Sequence, residues 1–125
     1  MTNNDDLRQR LYAFALSVVK LVRSLPKEMA SYEIGKQLLR SGTSVSANYE
    51  EATGAFSKDD FIYKISISFK EAKETNFWLR LLKDSNILMD EELNRLIRES
   101  EELRNILGKS VTTAKKNVRL KISGT

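Results

Sequence analysis

The sequence contains no cysteine and no histidine, and it has a single proline and five glycines in 125 residues. Without cysteine, the chain has no disulfides, thiolate zinc sites, iron–sulfur clusters or cysteine nucleophiles. Without histidine, it has no Ser-His-Asp triad, no haem held by histidine and no Glu-x-x-His di-iron site. Carboxylates, lysines, tyrosines and hydroxyls remain for chemistry, and we predict no catalytic, metal or cofactor site.

Long hydrophobic runs are also missing, because no stretch approaches the roughly 18 apolar residues of a membrane span. The first six residues are polar and slightly acidic, unlike the start of a secretory signal. Hydrophobic residues make up 41% of the chain and charged residues 30%, which is typical of a globular protein. We therefore expect one cytoplasmic domain over residues 1–125 that does not enter a membrane.

Chain breakers are scarce and apolar residues recur with a helical period, which predicts an all-α protein. We expect helices at about residues 5–25, 30–55, 58–84 and 90–116, followed by a basic C-terminal tail at 117–125. Pro26 ends the first helix, Ser57 and Asp60 resemble a capping box for the third, and Asp90 caps the fourth. Helices of this length with short connections predict an antiparallel up-down-up-down four-helix bundle.

The inner seam of the second helix is rich in small and polar residues. At the alternating spacing of four and three residues that is typical of helical bundles, the seam consists of Ile34, Leu38, Ser41, Val45, Asn48 and Ala52. Small side chains allow a neighbouring helix to approach closely, and Ser41 and Asn48 need hydrogen-bond partners if they are buried. Gly42 weakens the helix locally, but the period continues through it. We predict that Asn48 is a buried polar residue that fixes the register, with a ligand-reading role as the alternative.

The third helix is apolar over a wider arc than one interior can cover. Ile62, Phe69, Phe77 and Trp78 cannot all face the same core. Apolar patches larger than a few hundred Å² rarely stay exposed, so we expect identical copies to cover them in a homo-oligomer. Trp78 is then a core or interface residue, and a stacking platform for a nucleic-acid base is the alternative.

Three carboxylates, those of Glu51, Glu71 and Glu74, have the spacing to meet across the second and third helices. Carboxylate oxygens suit Mg²⁺ or Mn²⁺, which makes a metal-dependent nuclease one alternative. We favour salt bridges, because neither histidine nor a second carboxylate cluster completes a two-metal site. The candidate partners are Arg40, Lys64 and Lys70. We assign a structural or interface role to Ser41, Asn48, Glu51, Glu71, Glu74 and Trp78.

Positive charge is concentrated at the C-terminal end. The net charge is +4, yet residues 109–125 carry five basic residues and no acid. Further basic residues stand at the end of the first helix and off the seam of the second, and copies in a ring would multiply their phosphate contacts. Ordinary solvated charges that complement a helix dipole are the alternative. We predict nucleic-acid contacts at Lys36, Arg40, Lys115, Lys116, Arg119 and Lys121.

Three blocks of the chain resemble one bacterial family. The first is Gln37-Leu-Leu-Arg-Ser41 running into Ser44-Val-Ser-Ala-Asn48-Tyr-Glu-Glu-Ala52, and the second is Ser57-Lys-Asp-Asp-Phe61. The third is Phe69-Lys-Glu-Ala-Lys-Glu-Thr-Asn-Phe-Trp78-Leu-Arg-Leu-Leu82. Together they resemble the four-helix bundle proteins encoded within intervening sequences of 23S rRNA genes, and the resemblance covers nearly the whole chain.

This resemblance implies a homopentamer with a central channel and no established enzymatic activity. A diverged branch, the accessory variability determinant of diversity-generating retroelements, binds a reverse transcriptase and nucleic acid through a basic surface. By that analogy of fold, the expected partners are copies of the chain, RNA or DNA, and a nucleic-acid enzyme such as a reverse transcriptase. We predict a non-enzymatic nucleic-acid-binding or adaptor protein; the alternatives are a protein-only scaffold and the carboxylate-metal nuclease.

Overall fold

The structure, a computed structural model, describes the backbone of residues 3–123 and the side chains of residues 6–122. These residues form four helices: α1 (Asn3–Arg23), α2 (Met29–Thr53), α3 (Lys58–Asp84) and α4 (Glu91–Ser123). Residues 3–123 contain no strand, so the prediction of an all-α protein with four helices is confirmed. Within this range, no helix combines the length and the apolar character needed to cross a membrane.

Capping residues begin α3 and α4 where the sequence predicts them. The Ser57 Oγ accepts the backbone N–H of Asp60 at 3.0 Å. The Asp90 carboxylate accepts the N–H of Leu93 at 2.9 Å. Each bond satisfies a first-turn donor that has no partner within the helix. In the connection between the two helices, Asn86 takes the left-handed conformation (φ 60°) that asparagine tolerates better than most residues.

Helices that follow one another in the chain pack side by side in opposite directions. The Ser68 hydroxyl on α3 donates to the carbonyl oxygen of Val45 on α2 at 2.7 Å. Two turns further along α3, the Thr75 hydroxyl donates to the Ser41 hydroxyl at 3.0 Å. Residue numbers therefore fall along α2 as they rise along α3. Of the helix pairs in contact, α1 and α4 touch least, which leaves the bundle more open along that side.

One apolar seam from each helix forms the core. Several leucines are fully buried, and burying such a side chain contributes about 1.5–3 kcal/mol. The largest fully buried apolar side chains are Leu11, Val18, Leu38, Val45, Ile65, Leu79, Leu82, Leu93, Leu96, Leu103 and Leu107. All of them lie on the heptad seams that the sequence shows, so the hydrophobic period alone locates the core.

The small residues of α2 bring it close to α1. At Gly42, a Cβ atom would lie 2.8 Å from Cγ1 of Val18, closer than carbon atoms approach without displacement. At Gly35, about two turns earlier, the nearest atom would be Cδ1 of Leu25 at 3.2 Å. The helix continues through Gly42 without a break. Glycine is thus needed here for space and not for backbone flexibility.

Hydroxyl and amide side chains lie in the core between α2, α3 and α4, and each is hydrogen-bonded. Asn76 on α3 is 2% exposed, and its Nδ2 donates to the Ser100 hydroxyl on α4 at 2.9 Å. Its Oδ1 accepts from Nε of Arg80 at 2.8 Å. No fully buried polar side-chain atom among residues 6–122 lacks a partner. These bonds favour one register of the helices, because a slip would leave buried polar groups unpaired.

Asn48 does not take the role predicted for it. It is half-buried, and its Nδ2 donates to the carbonyl oxygen of Ser44 in the same helix at 2.9 Å. The buried residue at this level of α2 is Tyr49, which turns Asn48 toward the edge of the interface. The buried amide that links two helices belongs instead to Asn76 on α3.

Helix α4 extends past the predicted end at residue 116 and reaches Ser123. Its apolar period continues through Val111, Ala114 and Val118, and no glycine or proline lies between Gly108 and Gly124. Basic residues in the last turns also interact favourably with the negative end of the helix dipole. The expected tail at 117–125 is therefore helical through residue 123, and residues 124–125 lie outside the described range.

The close α1–α2 contact generates a stability prediction. Replacing Gly42 with leucine should lower the free energy of unfolding by about 1–3 kcal/mol, because the added atoms overlap Val18. Ala47→Leu is the matched control, since Ala47 lies on the exposed face of the same helix. Urea denaturation followed by circular dichroism measures both. Equal midpoints for the two variants would contradict the close approach.

Candidate nucleic-acid interface

Four of the six predicted phosphate-contacting residues lie together on the last turns of α4. Their side chains are exposed, and none forms a salt bridge with any side chain described by the structure. The residues are Lys115, Lys116, Arg119 and Lys121. The last acidic residue in the sequence is Glu102, so this helix end has no carboxylate of its own to compete with a bound anion.

The structure separates Lys36 and Arg40 from that group. Lys36 lines a cavity with Arg23 and Lys27, where α1 ends and α2 begins. The last turns of α4 lie at the opposite end of the bundle, beside the connection between α2 and α3. Along α2 the two ends are about 25 Å apart at 1.5 Å per residue. The six predicted residues are therefore divided between two surfaces within one protomer.

Arg40 is engaged by two carboxylates. Its Nη1 lies 3.2 Å from Oε1 of Glu71, and its Nη2 pairs with Glu74. One guanidinium between two glutamates leaves a local charge of about −1, which repels phosphate. The prediction of Arg40 as a nucleic-acid contact is therefore a poor fit to its surroundings. A bridge between α2 and α3 is what its geometry supports.

Trp78 forms a hydrogen bond with one of the two glutamates that pair with Arg40. Its Nε1 donates to Oε2 of Glu74 at 3.0 Å, and its ring packs edge-on against Phe77 with the centroids 4.9 Å apart. The indole is half-buried and its only polar atom is satisfied within the protomer. This arrangement fits a structural residue better than a platform that receives a base.

Glu51 pairs with a different cation from the other two glutamates. Its Oε1 lies 2.7 Å from Nζ of Lys64, and this hydrogen bond raises the pKa of Lys64. Lys64 precedes Glu71 by two turns of α3, so the three glutamates do not converge on one point. The side chains at residues 6–122 include no group of three or more potential metal ligands in reach of one ion. Their geometry is that of salt bridges.

Arg10 joins α1 to α4 on the open side of the bundle. Its Nε lies 2.7 Å from Oε2 of Glu99, and its Nη2 lies 2.9 Å from Oε1 of Glu102. The hydrogen bond to Glu99 raises the pKa of Arg10, with a further contribution from Glu102. Arg10 is therefore neutralised within the protomer, although it lines a cavity near the basic helix end.

Sequence reasoning missed three residues at the basic end of the bundle. Phe56, in the connection between α2 and α3, is fully exposed. Lys58 at the start of α3 and Lys109 on α4 line adjoining cavities there. A large aromatic residue in a short polar connection is the signal that the sequence offered for Phe56. The positions of Lys58 and Lys109 beside it depend on how the helices pack.

Comparison with known proteins identifies the family to which the chain belongs. Residues 3–109 match the family described as 23S rRNA-intervening sequence protein, and the chain belongs to that family. The resemblance inferred from the three sequence blocks is thereby confirmed. The family match ends before Lys115, so the basic end of α4 lies outside it.

The fold is also similar to a solved structure, that of a protein with unknown function from the S23 ribosomal protein family of Bacteroides thetaiotaomicron VPI-5482. The two chains are 34% identical with a TM-score of 0.81. The match covers 89% of this chain and 99% of the other. No curated protein matches the sequence. These comparisons establish the family and the fold, and they assign no activity.

The Arg40 cluster generates a second stability prediction. Arg40→Gln should lower the free energy of unfolding by about 1 kcal/mol, because Glu71 and Glu74 then face each other without a cation. It should also change the emission of Trp78, the only tryptophan, whose hydrogen-bond acceptor loses its partner. Urea titration monitored by tryptophan fluorescence reports both effects.

Lys36→Gln is the matched control for that measurement. Lys36 lies one turn before Arg40 and forms only an exposed contact with Glu33, at 3.9 Å. Its loss should change the free energy of unfolding by less than about 0.3 kcal/mol and leave the emission unchanged. A similar response from both variants would rule out a specific role for the cluster.

Proposed function

We propose that the chain is a non-enzymatic nucleic-acid-binding protein that contacts phosphates through the last turns of α4. The observation that carries this proposal is the set of exposed cations on that helix end, with no carboxylate partner in the described part of the chain. They are Lys115, Lys116, Arg119 and Lys121. Other cations, such as Arg10 and Arg40, are already neutralised by glutamates.

The mode of binding that this surface supports is phosphate neutralisation with little reading of base sequence. Lysine and arginine side chains that displace condensed counterions give an affinity that falls steeply with salt concentration. Contacts to the phosphate backbone position a protein but carry no sequence information. No groove-reading motif appears in the sequence.

We further propose that copies of the chain assemble into a ring, a homopentamer, as the family resemblance implies. Exposed apolar side chains on α1, α2 and α3 support self-association, because water-exposed patches of this kind are usually covered. They include Tyr12, Leu16, Leu39 and Phe77. Ile62, Phe69 and Trp78 are half-buried within the protomer, so Phe77 is the member of the predicted α3 group that most needs covering.

Assembly would strengthen the electrostatic attraction of each helix end for a polyanion. Five copies of a chain with a net charge of +4 carry about +20 in total. A long nucleic acid can contact several protomers at once, which converts the later contacts into intramolecular ones. A modest basic patch on each protomer is then sufficient for useful affinity.

The non-enzymatic part of the proposal rests on how the carboxylates are used. Glu51, Glu71 and Glu74 each accept hydrogen bonds from a lysine or an arginine. A metal-dependent nuclease needs carboxylates that converge on a shared open site. The salt bridges support a role in joining α2 to α3 instead.

Neutralising the helix end tests the proposal. The triple variant Lys115→Gln, Lys116→Gln and Arg119→Gln should reduce affinity for a 20-base-pair DNA duplex at least tenfold at 50 mM salt. The slope of log K against log salt should fall by about 2.7, since each lost phosphate contact removes about 0.9. Fluorescence anisotropy titrations at several salt concentrations measure both quantities.

The matched control removes the same charge from the opposite end of the bundle. Arg23→Gln, Lys27→Gln and Lys36→Gln together should lower affinity by less than threefold, since these side chains line a different cavity. Equal losses in the two triple variants would show that net charge, and not the α4 surface, governs binding. No binding by the wild-type protein at low salt would contradict the proposal and favour a protein-only scaffold.

Sedimentation tests the assembly. The wild-type chain of 14.3 kDa should sediment at micromolar concentration as a species of about 70 kDa. Phe77→Asp and Leu39→Asp should each shift the distribution toward smaller species, because a charge would be buried at an interface. Met89→Asp, in the α3–α4 connection, is the control. A wild-type protein that sediments as a single copy would disprove the ring.

A further inference from the structure

Two cavities adjoin at the end of the bundle where α4 extends past its neighbours. The larger, of about 670 Å³, opens between α1 and α4, and the smaller, of about 500 Å³, opens between α4 and the α2–α3 connection. Phe61, Ala114 and Asn117 line both, so the two cavities adjoin along these residues. We refer to the two adjoining cavities together as the end groove.

The end groove has an aromatic wall. Phe56 lines the smaller cavity and is fully exposed, although burying a phenylalanine is worth about 1.5–3 kcal/mol. The half-buried Phe61 lies where the two cavities meet. An aromatic ring that the fold leaves in water beside a groove is available to stack against a planar ligand group.

Cations surround the same groove. Lys109 lines the larger cavity and Lys58 the smaller one, and both are exposed without a salt bridge to a described side chain. Lys121 follows Asn117 by one turn on the same side of α4. Asp6 is the one carboxylate among the described lining residues, and Arg10 is held by Glu99. The charge around the groove therefore favours an anion.

Polar groups without charge line the larger cavity as well. The hydroxyls of Ser110 and Thr113 and the amide of Asn117 are on the α4 side. Leu7 and Ile65 provide apolar surface opposite them. Pockets of a few hundred cubic ångströms with apolar walls and a few polar groups are typical binding sites for small molecules.

We propose that the end groove binds single-stranded nucleic acid, with a base stacked on Phe56 and the phosphates beside Lys58, Lys109 and Lys121. This proposal rests on the proposed function and adds the form of the nucleic acid to it. Proteins that bind single strands combine a positive groove with aromatic platforms, which is the combination found here. In a duplex the bases are already stacked on one another, so the ring of Phe56 has no face to contact.

The single strand explains the groove better than an acidic peptide does. Both would satisfy the lysines, but only unstacked bases offer flat faces to the exposed ring. The α4 cations beyond the groove, Lys115, Lys116 and Arg119, would then contact the phosphates that continue out of it.

Anisotropy titrations with a labelled 20-nucleotide RNA and with the duplex of the same sequence test the proposal on the full chain. The wild type should bind the single strand at least fivefold more tightly. Phe56→Ala should lower affinity for the single strand by about 5- to 100-fold and leave duplex binding unchanged. Phe56→Trp should restore it, because a larger ring still stacks.

Two controls isolate the contribution of the ring. Tyr32→Ala removes an aromatic residue that is 60% exposed at the other end of the bundle, and it should leave affinity unchanged. Lys58→Ala, Lys109→Ala and Lys121→Ala together should reduce the salt slope for the single strand by about 2, from 0.7 per contact. The side chains of Phe56 and of the three lysines are exposed, so these variants should keep the helical circular dichroism spectrum of the wild type.

The outcomes separate this inference from the proposed function. Equal binding of strand and duplex, with no effect of Phe56→Ala, would overturn the single-strand groove while leaving phosphate binding by α4 in place. Competition by poly-glutamate as effective as that by RNA of equal charge would also overturn it. No binding to either nucleic acid at low salt would overturn both proposals.

Discussion

The close approach of α2 to the helices on both sides of it is the contact on which the other features depend. Gly42 admits Val18 of α1, and on the other side Val45 and Ser41 accept hydrogen bonds from α3. Larger side chains at these positions would push the helices apart and unpair buried hydroxyls. This packing brings Arg40 to its two glutamates, and it places the α2–α3 connection against the end of α4.

Local signals predicted the four helices and the N-terminal caps of α3 and α4, because hydrophobic period and capping chemistry act within a few residues. Side-chain roles were harder to predict where they depend on the rotation of a helix. Asn48 and Asn76 both lie near a helix interface, and a modest rotation decides which amide is buried. Salt bridges of Glu71 and Glu74 with a cation such as Arg40 were the favoured prediction, whereas the two adjacent carboxylates disfavour a phosphate contact at Arg40.

The distribution of the basic residues shows a second limit of sequence reasoning. Lys36 and Lys116 both appear exposed from the sequence, but only the direction of each helix determines that they lie at opposite ends. The same directions bring Phe56 and Lys58 beside the last turns of α4, although they are distant from it in the sequence. The family match stops at residue 109, so the last turns of α4 have to be interpreted from their own chemistry.

The side chains of residues 119–122, in the last turns of α4, are exposed to solvent. A helix end that is exposed to solvent opens locally at little free-energy cost, so its amide hydrogens exchange with solvent quickly. A bound polyanion would hold these turns closed, and part of the interaction energy would be spent on that ordering. The amide hydrogens of these turns would then exchange more slowly in the complex than in the free protein.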